Sequence, residues 1–255
     1  MIKNYLFTAL FCLTLIPCIS CKESRHEVET DNEIKPGQRG PGADTYTSLR
    51  NGMVSSQIES RGISDPKVLE AMRSVPRHLF VPSKYRNESY EDTPLPIGYG
   101  QTISQPYIVA LMTELLCLNS SSKVLEVGTG SGYQAAVLSH IAGQVYSVEI
   151  VKELHGLSRK NLKDAGYSGI KTLNADGYYG WEEPGPYDAI IVTCASEFIP
   201  PPLVKQLKNG GIMCIPVGPP FKVQHLLVVK KSGAGEITVE MITQVRFVPL
   251  VRKRE

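Results

Sequence analysis

The chain has 255 residues, 42% of them hydrophobic, with 27 Lys and Arg against 25 Asp and Glu for a formal net charge of +2. That length suits one sizeable domain plus appendages, with enough apolar side chains for a buried core. The near balance of charge argues against nucleic acid or any other extended polyanion as partner, and leaves the basic Arg252-Lys253-Arg254 terminus as a solvated tail.

At the N-terminus, Lys3 precedes an apolar run from Tyr5 to Ile19, followed by small and polar residues. The run fits a secretory signal better than a membrane span of about 20 residues. Cys18-Ile19-Ser20-Cys21 resembles the lipobox of bacterial lipoproteins, with Cys18 standing where Leu is usual. Cys21 is then the candidate lipidation site, with ordinary cleavage or an uncleaved anchor as alternatives. Residues 1–21 are read as this leader. Residues 22–46, charged, Gly/Pro-rich and poor in large apolar side chains, read as a flexible tether. Residues 47–255 form the folded domain, and no internal repeat is visible. Outside the leader, Cys117, Cys194 and Cys214 sit in apolar settings without metal-ligand spacing and read as buried free thiols. That usage suits a reducing compartment and conflicts with the leader. Translation from Met53 would remove the conflict.

Folding is expected to start near Thr47, with a helix over 53–62. Asp65 then offers an N-cap and Pro66 a first helical residue, with Val68, Leu69 and Met72 on one face. The segment Pro76 to Pro82 interrupts it. Its His78 has no acid or nucleophile paired with it in sequence, and reads as a packed or surface histidine. From Leu95 a glycine-punctuated loop runs to Ser104, and a helix follows with Ile108, Leu111, Met112 and Leu115 on its buried face. Ser104 or Gln105 would cap that helix, with Pro106 in its first turn. Capping is one account of Ser104. The other is that a long loop rich in hydroxyl and amide groups binds a ligand, where a helix N-terminus also favours a carboxylate.

Lys123 to Gly132 (KVLEVGTGSG) reads as strand, tight turn and the start of a helix, the opening of a nucleotide-binding βα unit. Gly128, Gly130 and Gly132 make G-x-G-x-G. The dinucleotide fingerprint would need its third glycine at position 133, which is Tyr133. A structural turn would account for the glycines alone. Glu149, ending the next apolar run (144–150), adds an acid placed to accept hydrogen bonds from a ribose diol, so turn and acid together indicate an adenosine-containing cofactor. Residues 170–174 form a third strand ending at Asp176-Gly177. Trp181 and the two tyrosines before it form a loop that covers a ligand or packs. Residues 187–194 are nearly all apolar, as a central parallel strand buried on both faces must be, and Thr193 to Glu197 would lie at its ligand-binding edge. A short helix at 203–207 closed by Gly210-Gly211, a fifth strand at 212–217, and a hairpin of 225–231 with 237–248 complete the chain. Alternation of strands and helices predicts a doubly wound α/β fold.

These residues bring a family into view. Leu95 to Pro106 (LPIGYGQTISQP) resembles the signature loop of protein-L-isoaspartate O-methyltransferases, and Val124 to Gly132 resembles the glycine motif of class I methyltransferases. Pro76 to Val81 (PRHLFV), Asn174 to Gly177 (NADG), Tyr187 to Val192 (YDAIIV) and Arg246 to Leu250 (RFVPL) agree in order, so the likeness spans roughly residues 53–251. It implies a Rossmann-like, mostly parallel seven-stranded sheet with an N-terminal helical extension, the order of its last two strands left open. S-adenosyl-L-methionine would lie over Glu126, Gly128, Thr129, Gly130, Ser131 and Gly132, with its ribose on Glu149 and its adenine amino group on Asp176 next to Gly177. For Asp176 a plain Asx-turn is the alternative.

The implied reaction moves a methyl group to the free carboxylate of an isoaspartyl or D-aspartyl residue in a damaged protein. Ser104 is the candidate for positioning that carboxylate. Gln101, Thr102, Ile103, Pro106 and Tyr107 would shape the pocket. Nucleic acid is not expected as a partner, a membrane only through Cys21, and the enzyme is expected to be a monomer. Two other readings stay open: a class I methyltransferase for a small molecule, which has no need of the 102–106 loop, and a non-catalytic envelope-binding lipoprotein. The leader points to export with lipid anchoring, the cofactor and the family to the cytoplasm.

Overall fold

The structure is a computed structural model that describes residues 43–253. The leader, Cys21 and residues 22–42 of the expected tether lie outside the described residues. Helix α1 (Ala43–Met53) continues into a π turn at Val54–Ile58 and a 3-10 turn at Glu59–Arg61, ending at Gly62 with φ +95°. The helix expected over 53–62 is thus the second half of a longer element beginning at Ala43. Tertiary contacts account for the extension: Tyr46 stacks on the His78 ring with centroids 3.9 Å apart, and Arg50 Nε donates to the Arg73 carbonyl. Helix α2 (Pro66–Ser74) starts as its sequence predicts, with Asp65 accepting from the Lys67 N–H and Pro66 at the first position.

The stretch read as a loop is a β-hairpin, β1 (Leu95–Gly98) against β2 (Gln101–Ile103). Leu95, Ile97 and Ile103 are buried, while Tyr99 and Gly100 make the turn with φ +52° and +70°. Two successive positive φ angles are what a tight two-residue hairpin needs. Helix α3 (Pro106–Glu114) follows, and the chain leaves it through Cys117 at φ +51°. That turn points the Cys117 thiol outward, so this cysteine is exposed; Cys194 and Cys214 are buried as expected.

The core of the domain alternates β3 (Lys123–Val127), α4 (Tyr133–Ser139), β4 (Gln144–Glu149), α5 (Lys152–Asp164), β5 (Lys171–Asn174), β6 (Tyr187–Val192), α6 (Pro201–Gln206), β7 (Leu207–Val217), β8 (Gln224–Lys231) and β9 (Ile237–Val245). The seven strands pair in the order β5-β4-β3-β6-β7-β8-β9, parallel from β5 to β7 and antiparallel beyond. The expected seven-stranded, mostly parallel sheet is therefore present, and its last two strands run as a meander in chain order. Strand β7 starts five residues earlier than its apolar run. It pairs Leu207 with Tyr187 and then Ile212 with Ala189, and Gly210-Gly211 take up the extra residues as a bulge, not as a helix stop.

Alternate side chains of each central strand enter two cores. Val124, Ile191 and Cys214 pack under α1 to α5, while Leu125, Ile190 and Met213 pack toward α6, Tyr187 and Trp181. Trp181 meets the Tyr146 ring edge-on and packs there. Because β3 lies between β4 and β6, the chain diverges from β3 in both directions. A crevice is left at the carboxyl ends of these strands, where ligands bind in such sheets. Among the described residues no helix is long and apolar enough to cross a membrane.

Candidate active site

The glycine turn fills that crevice. Gly128, Gly130 and Gly132 have φ of +98°, +53° and +92°, conformations that side chains rarely tolerate. A Cβ on Gly128 would stand 2.5 Å from Thr193 Oγ1, so the turn is packed backbone against the tip of β6. Thr193 locks it by donating to the Gly128 carbonyl at 2.6 Å. Glu149, buried at the tip of β4, accepts from the Gly130 N–H at 2.8 Å and from the Val151 N–H at 2.9 Å. Each of its oxygens retains a free lone pair beside a cavity lined by Gly128, Gly130, Ile150, Gly177 and Leu250.

Beneath the turn lies Glu126. It is wholly buried on β3, one oxygen accepts from Ser147 Oγ, and Ser147 in turn pairs with Thr129 Oγ1 at 2.6 Å. The other oxygen has no partner among the described residues. Burial pushes its carboxyl up to about 8, with the Glu149 charge adding to the shift and the Ser147 hydroxyl opposing it. An orphaned buried carboxylate under a glycine cradle fits a ligand that brings a cation and a close-lying chain, as an amino-acid ammonium does. Ser131 is buried and accepts weakly from the Tyr133 N–H at 3.3 Å.

Asp176 follows β5 and is nearly enclosed. Its Oδ1 accepts from the Tyr178 N–H, the Asx-turn allowed for by the sequence, and its Oδ2 from Arg252 Nε at 2.9 Å and the Lys253 N–H at 3.2 Å. The Arg252 guanidinium also lies 3.6 Å over the Tyr178 ring. The basic terminus is thus no free tail at Arg252. It folds back over the cavity beside Glu149, tied down by hydrogen bonds from Ala195 to Val248 and from Leu250 to Ala195. Gly177 presses on Val127, where a Cβ would come within 2.5 Å of Cγ1.

On the other side a cavity of about 440 Å³ is lined by Pro94, Ser104, Gln105, Ile108, Arg246 and Phe247. Thr102 and Thr193 line this cavity, the cavity beside Glu149, and the narrow one above Glu126, so the three meet at these two residues. Ser104 lines the large cavity and the one above Glu126. Its hydroxyl is not a helix cap. Gln105 holds the N-cap position of α3 without a capping bond and sends its amide to the Asp92 carbonyl and carboxylate. Of the other residues expected to shape the pocket, Gln101 lines the cavity beside Glu149 and buried Ile103 the junction. Pro106 is buried in the first turn of α3, and Tyr107 lies under the Arg61 guanidinium at 3.5 Å, outside these linings.

Sequence reasoning gives no site role to Ser147, and marks Arg77 and residues 248–250 only as parts of the PRHLFV and RFVPL segments. Ser147 was open to discovery: it and Glu126 are the lone polar residues inside two adjacent apolar strands, and they are register partners. His78, as expected, is a packed histidine, stacked on Tyr46 and bonded to the Tyr90 hydroxyl at 2.7 Å.

Residues 48–255 match the family model described as Protein-L-isoaspartate(D-aspartate) O-methyltransferase (PCMT). The chain is 51% identical over 208 residues to a protein-L-isoaspartate O-methyltransferase 2 of Shewanella sediminis, covering 82% of this chain and 85% of that one. It is 53% identical over 207 residues to a protein-L-isoaspartate O-methyltransferase 1 of Nitrosospira multiformis, with coverage of 80% and 88%. Its structure is similar to that of a PCMT from Plasmodium falciparum in complex with S-adenosyl-L-homocysteine. That match has a TM-score of 0.67 and 27% identity, and covers 80% of this chain and 99% of that one.

Proposed function

The chain belongs to the protein-L-isoaspartate(D-aspartate) O-methyltransferase family, and on that premise we propose how its residues share the work of methyl transfer. The enzyme transfers a methyl group from S-adenosylmethionine to the free carboxylate of isoaspartyl residues in damaged proteins. When bound, the cofactor supplies a methyl carbon made electrophilic by its sulfonium. The 128–132 turn would hold the methionine part, with Glu126 on its ammonium, and Glu149 would take the ribose diol. Asp176 would take the adenine amino group through acceptor capacity left beside Arg252.

The substrate carboxylate enters the 440 Å³ cavity and meets the Ser104 hydroxyl. There Ser104 would hold one carboxylate oxygen in line with the methyl carbon, so that the new oxygen–carbon bond could form as the carbon–sulfur bond breaks and its electron pair stays on sulfur. A carboxylate with an ordinary pKa near 4 is already ionised at neutral pH, so no general base is needed. The chain's contribution is orientation, holding oxygen and carbon at roughly 3–3.5 Å. The observation that carries this reading is Ser104 itself, a hydroxyl released from capping where the two cavities meet. The test offers labelled S-adenosylmethionine with paired peptides differing only in a normal or isoaspartyl linkage. Ser104→Ala is expected to lower turnover on the isoaspartyl peptide at least tenfold, by about 1.4 kcal/mol or more in the barrier, with cofactor affinity nearly unchanged. An unchanged turnover removes Ser104 from the mechanism.

The apolar run before Cys21 supports export with a lipid anchor, and the cofactor requirement supports a cytoplasmic enzyme. The leader favours the anchored form. Sequencing the N-terminus of the mature protein tests it, and a start at Met53 would dismiss the anchor.

A further inference from the structure

Arg77 opens the 3-10 turn Arg77–Phe80 and is completely enclosed. Its Nε donates to the Ser89 carbonyl at 2.8 Å and its Nη2 to the Ser104 carbonyl at 2.7 Å. Its guanidinium carbon lies 4.8 Å above the ring of Tyr133, the first residue of α4 after the glycine turn. Among the described residues it forms no salt bridge and Nη1 has no hydrogen-bond partner, though Tyr133, Tyr90 and the Asp92 charge act on it from nearby. Burial lowers its pKa only to about 10, so it stays charged at neutral pH.

A buried guanidinium with no carboxylate paired directly to it is costly, and an apolar side chain of similar volume would fill the space at lower free energy. What only the guanidinium does is reach two carbonyls in different loops while stacking on the helix that carries the donor turn. It therefore ties the acceptor side of the site, Ser104, to the donor side, Gly132-Tyr133. Because a peptide's C=O and N–H point in opposite directions, fixing the Ser104 carbonyl inward also fixes the orientation of the Ser104–Gln105 peptide beside the substrate cavity.

We infer that Arg77 is a positioning residue for methyl transfer, its buried guanidinium holding the Ser104–Gln105 peptide, and through it the Ser104 hydroxyl, in register with the glycine turn. This rests on the assignment of Ser104 to the substrate carboxylate. A misplacement of about 1 Å in such a group is worth on the order of 100-fold in rate.

The test is a double-mutant cycle of Arg77→Met and Ser104→Ala, with kcat and KM on an isoaspartyl peptide, calorimetric affinity for S-adenosylhomocysteine, and thermal stability. Arg77→Met is expected to lower kcat at least tenfold in the parent enzyme, by no more than Ser104→Ala does, but less than about threefold in the Ser104→Ala background, since residues acting as a unit are strongly non-additive. Affinity for S-adenosylhomocysteine should stay within about threefold. Arg77→Lys, which keeps the charge and one donor, should recover part of the loss, and it replaces Arg77→Met in the cycle if that variant does not fold. Equal losses in both backgrounds, or a parallel fall in cofactor affinity, would overturn the role of Arg77 alone. A fully active Ser104→Ala would instead overturn the reading on which it rests.

Discussion

Replacing Glu126 by Gln tests the cofactor half of the site through two independent readouts. In the free enzyme burial places the Glu126 carboxyl at about 8. At pH 7 about one molecule in eleven then carries the charge that would receive the ammonium. Ionising the rest costs about 1.4 kcal/mol, so the apparent affinity at pH 7 should be about tenfold below its limit and fall about tenfold more at pH 6. Calorimetry in buffers of different ionisation enthalpy should find about 0.9 proton released per cofactor bound at pH 7. Glu126→Gln should abolish that release and weaken binding at pH 8 at least tenfold. The second readout needs no cofactor. An acid whose folded pKa lies above its ordinary 4.5 holds a proton that the unfolded chain has lost. Its contribution to stability is therefore complete below 4.5 and disappears as pH rises through 8, with a slope of up to about 1.4 kcal/mol per pH unit. Urea unfolding of the free enzyme should show this decline, and Glu126→Gln should flatten it. A pH-independent affinity with no proton release, or a Gln variant with the parent slope, would refute the reasoning.

Gly128→Ala combines a φ of +98° with a 2.5 Å approach to Thr193 Oγ1. It should destabilise by at least about 1–3 kcal/mol and abolish measurable cofactor binding, with denaturant unfolding and calorimetry as the checks. His78 is held neutral, its pKa lowered to about 4 by burial and by the Arg50 and Arg86 charges. A depressed base contributes fully above its ordinary 6.5 and loses that contribution as pH falls through 4, so α1 should loosen first on mild acidification, read as faster amide exchange in 43–53; His78→Phe should lessen the effect. Arg252→Ala removes the ion pair at Asp176 and should tighten cofactor binding by up to about fivefold, the range of a partly exposed pair; weaker binding would mean that Arg252 helps to cover the site.

The donor half of the site was legible because it is local. The 128–132 turn, Glu149 and Asp176 each stand at the end of a short apolar run, and period and glycine spacing suffice to find such positions. The last strands were legible as elements and not in order, because two antiparallel strands appended to a parallel sheet satisfy the same apolar pattern in either arrangement. Helix α1 escaped notice because its polar sequence carries little periodicity, and Tyr46 and Arg50 hold it through contacts with residues 73 and 78. Arg252 was misread for the same reason: its partner Asp176 lies far away along the chain.

The acceptor half depends on such distant contacts throughout. Ser104 reads as a helix cap until Gln105 is seen in that position with its side chain drawn to Asp92. That single bond has a consequence for the reaction. If Gln105 were free to rotate and Ser104 to cap α3, the hydroxyl would be spent on the backbone of its own helix and turned from the cavity. The hairpin turn at Tyr99-Gly100, the Asp92–Gln105 bond and the Arg77–Ser104 bond each act on the same short segment from a different side. Together they keep one hydroxyl unpaired at the junction of two cavities. On the proposed role of Ser104, the scaffold thereby gains a fixed point for a carboxylate, through residues 77, 92 and 104, which lie apart along the chain.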